Sequence, residues 1–349
     1  MIDKKLHDIL EKADRRENLT KQDCIYILGL SPESYEAGLV RSKANALIRE
    51  KNGNAAIIIG QIGVDIHPCE AKCAFCSFGK DHTEIPRAKI SKPQLKKAID
   101  EFCKEGDLYG LYLMTMADTD QDYLLEMIEY AREVAPPETQ IWINTGDNEQ
   151  SFYERAAAAG AKGAYHVCRL REGVDTQLDP QIRIESMKNI KAAGLDLFSC
   201  CEPIGPEHSI EEIADSIMLC VDMGVTQFGA MKRIAVPDSP LYADNQISNL
   251  QMAHIMGCVG LAYACVESAA FFGVHEPSEL GYLAGANFVT AETGANPRDT
   301  VLDTSKGRGW DMNRCRKLLF EAGFTKLMKG DGSTIDLNYD YLKNTDSLL

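Results

Sequence analysis

The apolar positions divide the chain into a helical start and a long alternating part. Leu6, Ile9, Leu10 and Ala13 recur at helical spacing, and the same spacing continues in further segments as far as Ile48. Beyond residue 54, short apolar runs alternate with helical stretches. The runs that predict strands are Ala55–Ile62, Leu108–Met116, Gln140–Asn144, Gly163–Leu170, Leu195–Cys201, Thr226–Val236, Ser268–Val274 and Asn287–Ala291. The helices predicted between them are Lys92–Glu105, Asp122–Ala135, Ser151–Ala159, Pro180–Ala193, Ile210–Met223, Asn249–Ala264 and Pro277–Ala284.

Eight strands that alternate with helices predict an α/β protein, most simply a (β/α)8 TIM-type barrel. An open doubly wound parallel sheet satisfies the same periodicity and stays an alternative. We expect residues 1–54 to form an N-terminal helical extension and residues 55–293 to form the barrel. Residues 294–349 should form a loop, a helix over Asp311–Gly323 and a polar tail, packed on the barrel.

Charge and composition limit the classes of binding partner that we expect. The chain has 37 Lys and Arg against 52 Asp and Glu, a formal net charge of −15. Such a surface repels nucleic acid and anionic membranes, so neither DNA nor a membrane is an expected partner. The sequence has no secretory signal and no apolar run near the length of a membrane span, which predicts a cytoplasmic protein. In that reducing compartment, twelve cysteines indicate metal ligation or buried thiols rather than disulfides.

Three of these cysteines, Cys69, Cys73 and Cys76, follow the first predicted strand within eight residues. Three thiolates can ligate three irons of a [4Fe–4S] cluster and leave the fourth iron open. An open iron can be chelated by the amino and carboxylate groups of S-adenosylmethionine (SAM). Zinc prefers four ligands, commonly in two pairs, and no second pair with such spacing follows. Zinc and simple burial of the thiols remain the alternatives.

The cysteine spacing, with Phe75 before Cys76, resembles the signature of the radical SAM superfamily. The order of elements over roughly residues 20–325 resembles the biotin synthase-like branch, which includes lipoyl and biotin synthases, a hydrogenase maturase and methylornithine synthase. Weaker local similarities support the resemblance: Arg183–Gly194, Pro237–Leu241 and Leu283–Asn287. The resemblance implies an enzyme that cleaves SAM reductively and abstracts hydrogen from its substrate. It also implies SAM-binding residues, namely Phe75, Thr115, Asp118, Arg183 and Val289. An exposed helix charge is the alternative for Arg183.

The departures from biotin synthase argue against ordinary biotin formation. Its auxiliary cluster ligands correspond approximately to Leu113, Asn144 or Thr145, and Phe198, while His275 replaces an arginine ligand. Thiols recur nearby, so a second iron–sulfur cluster is a further hypothesis, with Cys168, Cys200, Cys201 and His275 as ligands. Only one of Cys200 and Cys201 can point into the barrel, because side chains alternate along a strand. Burial as small apolar residues is the alternative.

Ionisable residues at predicted strand ends are candidates for binding substrate, because burying a charge without a partner is costly. They are His166, Arg169, Glu202, Lys232, Arg233 and Glu292. Lys232 and Arg233 alternate in direction, so one of them faces inward, where a cation suits a carboxylated substrate. Surface exposure is the alternative for both.

We therefore expect radical chemistry on a small-molecule or carrier-bound substrate, a carboxylated metabolite or cofactor precursor, with an electron donor such as ferredoxin or flavodoxin. Sulfur insertion is the first hypothesis, because of the extra barrel cysteines. The second is a rearrangement or lysis without an auxiliary cluster. A non-catalytic iron–sulfur or zinc carrier is the alternative from another class.

Overall fold

The structure is a computed structural model that describes residues 3–294, 304 and 308–348. Eight parallel strands follow one another around a closed barrel. They are β1 (Ala55–Gly63), β4 (Gly110–Met114), β5 (Gln140–Asn144), β6 (Gly163–Tyr165), β7 (Asp196–Ile204), β8 (Gln227–Lys232), β9 (Phe271–His275) and β10 (Phe288–Thr293). Pairing of Ile57–Ile62 with Phe288–Thr293 closes the sheet. The predicted (β/α)8 barrel is confirmed, and the open doubly wound sheet is excluded.

Helices follow the strands on the outside of the barrel. They are α4 (Lys92–Phe102), α5 (Gln121–Val134), α6 (Gln150–Ala158), α7 (Pro180–Ala192), α8 (Ile210–Met223), α9 (Asn249–Ala262), α10 (Glu279–Tyr282) and α11 (Met312–Glu321). Two short 3-10 helices, Tyr242–Asp244 and Tyr263–Cys265, flank α9. Among the described residues, no helix is long and apolar enough to cross a bilayer.

Side-chain alternation along the strands produces two separate apolar layers. The barrel interior is filled by residues such as Ile57, Ile59, Trp142 and Phe198. The alternate residues, among them Ile58, pack outward against the helices. The interior is thus a packed core, with a cavity at one end of the barrel.

The N-terminal helices α1 (Lys4–Asp14), α2 (Lys21–Leu28) and α3 (Tyr35–Lys51) cover one side of the helical layer. Helix α3 packs on α9, where a Cβ added to Gly260 would lie 2.7 Å from that of Ala44. Glycine at this crossing therefore lets the two helices approach closely.

The segment after β10 contains elements that the sequence did not predict. The predicted loop over residues 294–308 lies largely outside the described residues. Beyond α11, β11 (Lys326–Met328) pairs with the start of β1, antiparallel β12 (Thr334–Asp336) follows, and α12 (Tyr339–Asn344) ends the described fold. Leu337 and Leu342 are buried. Another difference concerns β6, which is predicted to reach Leu170 but leaves the sheet after Tyr165.

Candidate active site

A cavity opens at the carboxyl ends of the barrel strands, where active sites of such barrels lie. Its lining includes Cys69, Cys73 and Cys76 on one side and strand-end residues of β4 to β9 on the others. Tyr112, Tyr165 and Phe198 line it at the level of the barrel core, and the Tyr165 and Phe198 rings meet edge to face at 4.8 Å. Charged residues therefore lie above an aromatic base.

The cysteine loop lies between β2 (Asp65–Ile66) and β3 (Ala88–Lys89), a short antiparallel pair. Backbone hydrogen bonds tie it to two other loops. The Ala74 N–H donates to Asp175 at 2.8 Å, the Gln177 N–H donates to Ala71 at 2.9 Å, and the Leu241 N–H donates to Ala74 at 3.2 Å. The shape of the loop is thus fixed from outside as well as by its own turns.

Burial raises the pKa of all three thiols, and it raises that of Cys73 to about 11. Backbone N–H groups nevertheless point at the sulfurs. That of Phe78 donates to Cys76 Sγ at 3.4 Å, and backbone hydrogen bonding acts to lower the pKa of Cys69 against the effect of burial. Because a bound metal centre holds its cysteines as thiolates, these donors would stabilise the charge that ligation creates.

The spacing of the sulfurs bears on which metal centre fits. Among the described residues, only Asp175, Glu207 and His208 bring three ligand atoms within 4.8 Å of one another. The three cysteine sulfurs are therefore spread more widely, whereas sulfurs on one tetrahedral zinc ion lie about 3.8 Å apart, given Zn–S bonds of about 2.3 Å. A multinuclear iron–sulfur cluster suits this wider set of thiols better than a single ion.

Arg183 of α7 lines the cavity and is held by a buried network. Its Nη1 lies 3.0 Å from Asp147 Oδ1, and its Nε donates to the Val167 carbonyl at 2.9 Å. His166 shares Asp147 Oδ1 at 2.9 Å. Burial would raise the pKa of Asp147, but the hydrogen bond from His166 and the charge of Arg183 lower it overall. Arg183 is thus a fixed cation at the cavity, and not an exposed helix charge.

A second charged group comprises Arg169, Glu202 and Tyr165. Arg169 Nε lies 3.2 Å from Glu202 Oε1, and the Tyr165 hydroxyl donates to Glu202 Oε2 at 2.6 Å. Burial acts against the charge of Arg169, but Glu202 and Glu172 reverse this effect and raise its pKa well above the usual value. Arg169 therefore stays cationic within the cavity wall.

The predicted substrate residues divide between the cavity and other surroundings. Arg169, Glu202 and Arg233 line the cavity, whereas Lys232 points out and donates to Asn249 at 2.7 Å. Buried Arg233 pairs with Glu207 and donates to the Asn245 carbonyl at 3.0 Å. The other two residues lie outside the cavity lining. His166 lies behind it against Asp147, and Glu292 lies 3.8 Å from Arg308.

Of the five predicted SAM-binding residues, three line the cavity and two do not. Phe75, Thr115 and Arg183 line the cavity, and the Thr115 hydroxyl donates to the Asn144 carbonyl at 2.7 Å. Asp118 does not line it, although its neighbour Ala117 does. Val289 does not line the cavity, because it pairs with Ile58 in the layer of side chains that faces the helices. Its side chain therefore points at the helices and away from the cavity.

The four proposed auxiliary ligands are not brought together. Cys200 and His275 line the cavity. Cys201 faces outward, where it contacts Ser216 of α8. Cys168 follows the early end of β6, and its thiol approaches the Pro180 carbonyl at 3.9 Å on the helical side. Strand alternation separates Cys200 from Cys201, and the departure of the chain from β6 turns Cys168 away from the barrel axis.

Three residues of these networks were missed as candidates: Asp147, Glu172 and Tyr165. Asp147 and Glu172 lie in loops after strands, where a single sequence does not distinguish a buried carboxylate from an exposed one. Tyr165 lies in a predicted strand directly before the candidate His166, and that position was the available signal.

Comparison with known proteins adds information on the fold. No protein-family model and no curated protein matches the chain. Among solved structures, methylornithine synthase matches with a TM-score of 0.76 at 18% identity, covering 90% of this chain and 96% of that one. The FeFe-hydrogenase maturase HydG from Carboxydothermus hydrogenoformans matches with a TM-score of 0.75 at 16% identity, covering 93% and 80%. The chain shares the fold of these proteins. At such identities the likeness shows the fold and does not define the chemistry.

Proposed function

We propose that this chain is a radical SAM enzyme that acts on a small carboxylated molecule. The observation that carries the proposal is that Cys69, Cys73 and Cys76 line the same cavity as the fixed cations Arg169 and Arg183. A [4Fe–4S] cluster with SAM would supply a 5′-deoxyadenosyl radical that abstracts hydrogen from the substrate. The likeness in fold to methylornithine synthase and to a hydrogenase maturase supports the same assignment.

In this proposal the three cysteines hold the cluster and the nearby polar groups orient SAM. Arg183 would bind the carboxylate of SAM, because Asp147 and the Val167 carbonyl hold the guanidinium in one position. Phe75 and Thr115 would complete the SAM site from the two neighbouring segments. An electron donor such as ferredoxin or flavodoxin in the cytoplasm would complete the system.

The substrate would occupy the cavity above Tyr165 and Phe198, away from the cysteine loop. Arg233 and His275 also line the cavity, and a guanidinium there suits a carboxylate. The aromatic base excludes water from beneath the substrate, which protects a reactive radical from side reactions. A small metabolite or cofactor precursor fits these surroundings.

Of the two reaction types, we favour a rearrangement or lysis without an auxiliary cluster over sulfur insertion. The support is the outward position of Cys168 and Cys201, which leaves Cys200 and His275 as the members of the auxiliary set at the cavity. Two such residues do not make the usual four-ligand set of an iron–sulfur cluster.

Anaerobic reconstitution followed by incubation with SAM and a strong reductant tests the proposal. We expect about four irons and about four sulfides per chain and formation of 5′-deoxyadenosine. Cys73→Ala should abolish its formation, whereas Cys168→Ala, a matched change outside the cavity, should leave iron content and product unchanged. Zinc without sulfide would overturn the iron–sulfur assignment. A fully loaded cluster that never cleaves SAM, with or without substrates, would favour the carrier function.

A further inference from the structure

A thiol lies on the inner wall of the barrel, between the aromatic base and the charged residues of the cavity. Cys200 is 2% exposed and lines the cavity, and along β7 it stands two residues after Phe198 and two before Glu202. Its register partner on β8 is Gly229, where an added Cβ would lie 3.1 Å from Cys200 Sγ. Glycine at this position therefore leaves room for the sulfur at the cavity.

A buried donor on the neighbouring strand indicates where a ligand would bind. Arg233 follows β8 and lines the cavity, although it is only 2% exposed. Its Nη1 and Nη2 contact Glu207 and the Asn245 carbonyl, but its buried Nε has no hydrogen-bond partner among the described residues. An unsatisfied buried donor is costly, and an acceptor group of a bound molecule would satisfy it. A molecule held there would adjoin the pair of strands that carries Cys200 and Gly229.

The inner wall offers several hydrogens that a carbon radical can take. Thiols and phenols give up hydrogen atoms more readily than aliphatic carbons or alcohols do, because their S–H and O–H bonds are weaker. Tyr112, Tyr165 and Cys200 carry such bonds at the cavity. The Tyr165 hydroxyl donates to Glu202 at 2.6 Å, and the Tyr112 hydroxyl is likewise engaged, at 2.8 Å. The Cys200 thiol meets a backbone carbonyl at 3.8 Å, and because S–H is a weak donor this contact holds its hydrogen less firmly.

We propose that Cys200 donates the hydrogen atom that ends the radical reaction in this cavity. In this step the S–H bond breaks, a C–H bond forms on the carbon radical, and the sulfur is left as a thiyl radical. The one-electron donor of the proposed function then reduces the thiyl radical to a thiolate, and a proton from water restores the thiol. This inference rests on the proposed function, because it needs a radical in the cavity. It makes SAM a consumed co-substrate, since 5′-deoxyadenosine does not return its hydrogen to the product.

SAM alone serves as the probe, because a 5′-deoxyadenosyl radical formed without substrate takes its hydrogen from the surrounding wall. Reconstituted protein is equilibrated in heavy water, so that its thiols carry deuterium, and is incubated with SAM and a strong reductant. Mass spectrometry then measures the deuterium content of the 5′-deoxyadenosine. Wild type should transfer deuterium to this product. Cys200→Ser should lose most of the transfer, because the O–H bond of serine is too strong to donate.

The isotope content of the product does not depend on how much of it each variant forms. Cys201→Ala changes the next residue of the same strand, which packs among the helices, and should keep the wild-type deuterium content. Cys200→Ala should behave like Cys200→Ser, and it decides the matter if the serine variant does not fold. All variants are compared at equal iron content.

The outcomes separate the two proposals. Wild-type protein with a full cluster that forms no 5′-deoxyadenosine would overturn the proposed function. A deuterium content that is equal in wild type and Cys200→Ser, or absent from both, would overturn the role of Cys200 and leave the proposed function intact. Loss of deuterium in Tyr165→Phe instead of in Cys200→Ser would do the same, and would assign the transfer to the phenol.

Discussion

Asp147 Oδ1 lies 3.0 Å from Arg183 Nη1, and the pair joins the loop after β5 to helix α7. His166 Nε2 lies 2.9 Å from the same oxygen, so one carboxylate oxygen contacts both a guanidinium and an imidazole. The guanidinium of Arg183 supplies the positive charge of this network. His166, in contrast, is neutral in its buried position. Its protonation should therefore change the free energy of unfolding with pH.

The pH dependence of stability should report His166. Burial lowers the pKa of His166 to about 4 from an ordinary value of 6.5, and the charge of Arg183 acts in the same direction. Between these values the unfolded chain binds more protons than the folded one. The free energy of unfolding should therefore fall as the pH decreases from 6.5 to 4, by up to about 3 kcal/mol. The lowered pKa of Asp147 continues the loss at lower pH.

Urea unfolding of the cluster-free protein at a series of pH values measures this slope. His166→Gln should flatten it between pH 6.5 and 4. His7→Gln, at an exposed histidine of α1, should keep the wild-type slope. Parallel curves for wild type and His166→Gln would show that His166 does not titrate in this way.

Replacing Asp147 should weaken SAM binding. Asp147→Ala removes the carboxylate at Arg183 Nη1 and leaves the contacts of Nε, so the outer end of the guanidinium is held less firmly. We expect the Kd for SAM to rise about tenfold, or about 1.4 kcal/mol. Calorimetric titration of reconstituted protein measures it. Glu185→Ala, an exposed carboxylate on the same helix, should bind SAM like the wild type. An unchanged Kd in Asp147→Ala would contradict the role given to Arg183.

Glu202 should matter for stability as well as for the cavity. Glu202→Ala removes the acceptor of both Arg169 and Tyr165 and leaves a buried guanidinium with less compensation. The free energy of unfolding should fall by about 3 kcal/mol, and Glu202→Gln should cost less because it keeps one acceptor oxygen. Urea unfolding of the cluster-free protein gives both values. Equal losses in the two variants would mean that the charge of Glu202, and not its acceptor oxygens, stabilises the wall.

The C-terminal helices should depend on one buried ion pair. Asp107 accepts from Arg316 Nε at 2.6 Å and Nη2 at 3.0 Å, and from the Tyr341 hydroxyl at 2.9 Å. Asp107→Ala should lower the free energy of unfolding by about 3–5 kcal/mol, because it leaves the buried Arg316 without its carboxylate. Asp100→Ala, which breaks an exposed pair with Lys96, should cost less than about 0.5 kcal/mol. Thermal or urea unfolding measures both values. Similar losses of unfolding free energy in Asp107→Ala and Asp100→Ala would contradict this prediction.

Local patterns were sufficient to predict the barrel and several orientations within it. Strand periodicity located all eight barrel strands, and alternation required one of Cys200 and Cys201, and one of Lys232 and Arg233, to face inward. The choice between the two members of each pair was not available, because it depends on the register that closure of the barrel imposes on β7 and β8.

The contacts that build the site join residues far apart in sequence. Arg183 is an ordinary helix residue in the pattern, and its burial follows from Asp147 in a preceding loop. The early end of β6, which turns Cys168 outward, has no signal in an apolar run that continues to Leu170. The strands after α11 are only three residues each, so the pairing of β11 with β1 and of β12 with β11 could not be predicted.

The backbone hydrogen bonds from Ala74 to Asp175 and from Leu241 to Ala74 have a consequence for the order of assembly during folding. They join the cysteine loop to segments that enter the barrel only with β6 and β8, so the loop cannot take its final shape while those segments are unfolded. Contacts of such long sequence separation form late, because their chain-closure entropy is large. The cysteine loop therefore takes its final shape only after the segments that follow β6 and β8 have folded, and in the proposed function a cluster would be bound after that step.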